Sequence, residues 1–99
     1  MHRKLKTKQD MKTKVCFRYS EEHPEVVAVF PYEEWTKNTL ACYCNFEGHS
    51  DCTANWVRAC TRPATSEEYA STLRNLRKIG YDLEILPKMP RLAKRFYEE

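Results

Sequence analysis

Three cysteines, a histidine and two carboxylates fall within Leu40–Cys52, which reads Leu-Ala-Cys-Tyr-Cys-Asn-Phe-Glu-Gly-His-Ser-Asp-Cys. Metal binding is the first chemistry these types suggest. Cys42, Cys44, His49 and Cys52 bring thiolate and imidazole donors in the order of a zinc knuckle. The spacing is short at both pairs, with one residue between Cys42 and Cys44 and two between His49 and Cys52. A thiol nucleophile is the second chemistry, with Cys52, His49 and Asp51 as thiol, imidazole and carboxylate. No signature surrounds that trio, and such groups are usually assembled across a fold.

Strand alternation gives a third reading. It puts Leu40, Cys42, Cys44 and Phe46 on one face and Ala41, Tyr43, Asn45 and Glu47 on the other, with His49 entering on the adjoining turn. The thiols then point to the core, where free cysteine is commonly found. Tyr43, Asn45, Glu47 and His49 become a tyrosine platform edged by amide, carboxylate and imidazole, suited to a small polar ligand or a protein partner. This surface is the favoured binding site, and neither a metal nor a cofactor is expected.

The elements that must position it follow from patterning. Residues 1–13 are lysine-rich and aperiodic and read as a mobile arm, with Met11 offering a second natural start. Residues 14–86 read as one domain. Val15, Phe17 and Tyr19 alternate with Lys14, Cys16 and Arg18, which predicts a half-buried strand, and Ser20–Glu25 a turn. Val26–Phe30 is apolar on both faces, as a central strand is, and Pro31 should end it. Tyr32–Asn38 should be a loop or short helical turn anchored in the core by Trp35. Leu40–Phe46 is the third strand, Gly48–Ala54 a turn, and Asn55–Cys60 either a strand or a short helix.

Thr65–Ile79 has the strongest helical signal. Thr65 with Glu68 forms a capping box, Tyr69, Leu73, Leu76 and Ile79 form the apolar stripe, and Gly80 stops the helix. Tyr81–Leu86 resumes alternation as a final strand. Residues 87–99 then read as a tail, either frayed or a short basic-aromatic helix. The expected fold class is α+β, an antiparallel sheet of about four strands packed on one main helix, 65–79. Exposed edges on so small a sheet suggest a homodimer.

Composition narrows the function classes. With 99 residues, 41% hydrophobic, the chain suits one core and one domain. The net charge is +3, yet residues 1–14 alone carry six basic side chains and one acid, +5, leaving −2 for the rest. A nucleic-acid-binding fold would need its basic stripe on the body itself. The candidates for such a patch are Arg58, Arg62, Arg74, Arg77, Lys78, Lys88, Arg91, Lys94 and Arg95, near Tyr81, Phe96 and Tyr97. No apolar run approaches a membrane span, and no apolar stretch follows the N-terminal charges as a secretory signal requires. A cytoplasmic location is therefore expected, with the five cysteines as thiols and not disulfides.

Val15-Cys16-Phe17-Arg18, Val27–Pro31, the Tyr43-centred segment, Arg62-Pro63-Ala64-Thr65-Ser66-Glu67-Glu68-Tyr69 and Ile79-Gly80-Tyr81-Asp82-Leu83 together carry a resemblance. The chain resembles a family of small uncharacterised proteins encoded by bacteria, phages and other mobile elements. In that family the central segment reads like Tyr-Gln-His-x-Gly-Gln-His, and here Tyr43 and His49 keep their types in place. The resemblance implies a phage or mobile-element setting and no particular reaction.

No catalytic triad, phosphate loop or carboxylate pair stands out, so an enzyme is not expected. The reading is a small non-enzymatic binding protein from a phage or mobile element, an inhibitor of a host defence factor that binds a host protein or a small nucleotide ligand. A nucleic-acid-binding accessory protein and a zinc module built on Cys42, Cys44, His49 and Cys52 are the alternatives.

Overall fold

Alternation from Lys14 onward becomes strand β1, Thr13–Ser20, in the computed structural model, which describes Lys12–Glu98. The arm expected at residues 1–13 lies almost wholly outside the described residues. Val15 and Phe17 are buried on one side of β1, while Arg18 on the other side pairs its backbone with Val27. Strand β2, Glu25–Glu34, runs antiparallel to β1 and continues past Pro31 instead of ending there. Its register with the next strand, β3 (Leu40–Cys44), shifts between Phe30 and Glu34. Pro31 therefore falls at an irregularity where a missing N–H costs the ladder nothing.

Trp35 does not anchor a core; it is 53% exposed. The chain after β2 is held instead by its own hydrogen bonds, Trp35 N to Thr39 O at 3.0 Å and Thr39 N to Thr36 O at 2.9 Å. Asn38, at φ 63°, completes this tight reversal in the left-handed region that asparagine tolerates.

Gly48 begins a strand, β4 (Gly48–Cys52), where a turn was expected. Asn45, Phe46 and Glu47 make the reversal, and Gly48 at φ 83° lets β4 start pairing opposite Cys44. The open choice for Asn55–Cys60 resolves as a helix, α1 (Ala54–Cys60), because Thr53 caps it by accepting from Trp56 N at 3.0 Å. Strand β5 (Thr61–Pro63) follows directly.

The main helix, α2, spans Ser66–Ile79 with the expected capping box from Thr65 and Glu68. Gly80 stops it at φ 123°, its N–H bonded to Leu76 O and Arg77 O. The stripe is narrower than expected, since Thr72 and Leu76 are buried whereas Ile79 is 54% exposed. Strand β6 is Leu83–Ile85, shorter than the expected 81–86 and parallel to β1.

The sheet has six strands, ordered β4-β3-β2-β1-β5, with β6 also on β1. Along one edge β1 pairs with β6 over Thr13–Val15 and with β5 over Arg18–Ser20. The fold is α+β, and both faces of the sheet are covered where one was expected. On one face α2 brings Leu76, Leu73 and Tyr69 over Val15, Phe17, Ala28, Phe30 and Tyr43. On the other, α1 and the C-terminal segment lay Val57, Met89, Leu92 and Phe96 over Val29 and Leu40. The expected tail is thus part of the second core, ending in a 3₁₀ turn at Lys94–Tyr97. No helix among the described residues is long and apolar enough to cross a membrane.

Candidate functional site

Alternation in β3 separates Tyr43 from its flanking cysteines, as the sequence implied, and Cys42 and Cys44 are buried as expected, but Tyr43 is buried as well. Tyr43 is 9% exposed, within the core beneath α2. Its ring meets that of His49 edge-on at 5.0 Å, and His49 Nε2 lies 2.9 Å from the Tyr81 hydroxyl. Asn45 Nδ2 donates to Ser71 Oγ at 3.2 Å, and Asn45 Oδ1 accepts from Asn75 Nδ2 at 2.9 Å. Of the four residues expected to form a binding surface, only Tyr43 is buried; Asn45 and His49 are exposed and join the β3–β4 hairpin to α2 and to Tyr81. Glu47 is exposed too and lines a groove on the opposite face.

That groove, of about 660 Å³, is walled by Phe46 and Trp56 and floored by Val27, Cys42, Cys44 and Cys52. Phe46 projects from the hairpin turn 87% exposed. Cys42 lies 3.3 Å from Ser50 Oγ, and a hydrogen bond from the Cys52 thiol holds Cys42 down at about 7. Cys52 is pushed up correspondingly, by that same bond and by burial. Burial, and secondarily Glu25, also raise Cys44, whose sulfur accepts from Glu47 N at 3.4 Å. Glu25 Oε2 is buried with no hydrogen-bond partner among the described residues. An unmet carboxylate oxygen beside an apolar wall suits a ligand bringing a donor and a flat apolar surface.

The zinc set is not assembled. β4 pairs Ser50 with Cys42 and His49 with Tyr43, so His49 sits with the tyrosines, across the sheet from the thiols. The same alternation separates His49 from Cys52 and dismantles the nucleophile trio. Among the described residues no group of three or more His, Cys, Asp or Glu side chains is placed to hold a metal ion.

The nine cations do not form one patch. Arg62 is ion-paired with Glu68 and Glu21, and Arg95 with Glu34. Arg74, Arg77 and Lys78 lie along the outer surface of α2, whereas Arg58, Lys88 and Arg91 lie across the sheet, beside α1. Arg18, which the sequence reading assigned only to strand alternation, joins this last group. Sequence spacing alone could not find it, because it arrives from β1.

No family model, curated protein or solved structure matches this chain.

Proposed function

We propose that this chain is a small non-enzymatic binding protein that captures a host protein or a small polar ligand in the groove between the β3–β4 hairpin and α1. The observation that carries this reading is the pairing of the exposed Phe46 wall with the unpartnered Glu25 oxygen at the floor. A large exposed aromatic ring is the usual anchor of a recognition surface, and a buried acceptor gives it directionality. Glu47 borders the same groove, which supports keeping it in the proposed site. Tyr43, Asn45 and His49 act behind it by fixing the hairpin against α2.

The setting is proposed on the family resemblance: a phage or mobile element, acting in the host cytoplasm on a defence factor. A homodimer is proposed on the edge position of β4, which has backbone groups to offer a second copy.

Host extract passed over immobilised protein should yield a bound partner or small molecule. Phe46→Ala and Glu25→Gln should each weaken its capture about tenfold, with melting temperatures close to the parent. Equal capture by both variants, or no effect of the gene on phage growth, overturns the proposal.

A further inference from the structure

Four cations from three separate stretches of chain converge on a second concavity, on the other side of α1. Arg18 of β1, Arg58 of α1, and Lys88 and Arg91 of the C-terminal segment line a recess of about 610 Å³. None of its lining residues is acidic. Two other arginines are ion-paired: Arg62 meets Glu68 at 2.6 Å and Arg95 meets Glu34 at 2.9 Å. Among the described residues, no carboxylate pairs with any of the four. Four like charges in one concavity repel one another, and an anion in it would relieve that repulsion.

Two of the four cations are held in place before any ligand arrives. Arg18 Nε donates to Thr61 Oγ1 at 3.0 Å and Nη2 to Thr61 O at 2.9 Å, which fixes the guanidinium plane. Arg58 lies over the Tyr97 ring at 5.0 Å and donates to Asn55 Oδ1 at 3.1 Å. Lys88 and Arg91 flank two residues embedded in the second core, Met89 and Leu92. Leu86 N, bonded to Val15 O at 2.8 Å, ties the start of that segment to β1. For Arg18 and Arg58 the ordering entropy is therefore largely spent on folding, while the backbone carrying Lys88 and Arg91 is anchored by its packed neighbours.

We infer that this recess is an anion site for a small ligand carrying two or more phosphoryl groups, such as a nucleoside diphosphate. Arginine guanidinium groups match phosphoryl oxygens in pairs, and the recess has the size of a small-molecule site. A nucleic-acid surface would instead need the charges spread along a stripe, whereas here they are gathered into one hollow. The site is separate from the Phe46 groove, and neither depends on the other.

Calorimetric titration of the full chain with pyrophosphate, ADP and a single-stranded oligonucleotide tests the inference. Pyrophosphate and ADP should bind one per chain. Lys88→Gln with Arg91→Gln should weaken both about 100-fold, while Arg74→Gln with Arg77→Gln, the same charge change on α2, should cost less than about twofold. Lys88 and Arg91 are exposed and lie outside helices and strands, so this pair carries the test even where Arg58→Gln fails to fold. No pyrophosphate binding at millimolar concentration, or equal loss in the α2 pair, overturns the site. An oligonucleotide that binds more tightly than ADP, with a steeper salt dependence, overturns the small-ligand class. Capture by the Phe46 groove should persist in the Lys88/Arg91 variant, so the two sites fail independently.

Discussion

Cys42 and Tyr43 are neighbours in sequence and face opposite layers, and the burial of both is the main lesson at the residue scale. Alternation in β3 separates thiols from tyrosine correctly. It carries no information on which face α2 will cover, because both faces of the strand are buried. Tyr43 and the apolar residues around it fill the larger core, so the thiols are left to line the groove. This placement makes Cys42 testable. The hydrogen bond from Cys52 lowers its thiol below the ordinary range and so favours the thiolate. Alkylation of the folded protein at Cys42, followed by peptide mass mapping, should rise between pH 6 and pH 8, while Cys16 stays unmodified inside the core. Labelling of Cys42 only after denaturation would show that the groove floor is closed.

At the scale of elements, α2 was the most legible, because capping box, dipole charges and terminal glycine all point to the same helix. Thr65→Ala should remove the cap and cost about 1 kcal/mol, read as a fall in melting temperature. Thr65→Ser should restore most of it. The strands were half legible: β1 and β3 follow from alternation, while β4 is hidden by its composition. Gly-His-Ser-Asp-Cys reads as a turn, and only pairing with β3 makes it a strand. The reach of β2 past Pro31 was equally invisible, since it depends on a register shift set by the partner strand. In the same way the sequence resolved the Leu40–Cys52 window into two faces but could not bring Phe46, Trp56 and Glu25 around one groove. Those residues come from a hairpin turn, the start of β2 and helix α1, which only the folded chain brings together.

The whole molecule is closed by its C-terminal segment. Arg95 grips Glu34 through both oxygens at 2.9 Å and Asn38 Oδ1 at 2.7 Å, and Asn55 Nδ2 donates to Tyr97 O at 2.9 Å. Deleting residues 87–99 should uncover Val29, Leu40 and Val57 and lose roughly 3–5 kcal/mol, a large share of a small domain's stability. Denaturant unfolding of the truncated chain checks this, and an unchanged midpoint would mean the segment only rests on the sheet. Acid acts on the same clasp. The Arg95 hydrogen bonds hold Glu34 down at about 2, below its ordinary 4.5. Because the folded value is the lower one, this stabilisation is complete above pH 4.5 and is lost as pH falls toward 2. Amide exchange of Phe96, whose N–H bonds to Ala93 O at 3.0 Å, should accelerate relative to the intrinsic rate across that interval. Arg95→Gln should weaken the pH dependence, leaving the part due to the Asn38 N–H.

The double partnership along β1 has a consequence for synthesis. Strand β1 receives part of its edge from a segment far later in the sequence, through Thr13 N to Asp82 O and Leu86 N to Val15 O, each at 2.8 Å. A ribosome delivers β1 before that segment, so β1 and β2 can form a hairpin early but cannot be sealed until residues 83–85 leave the exit tunnel. Closing the edge of β1 is therefore a late, long-range step of folding that waits on residues 83–85.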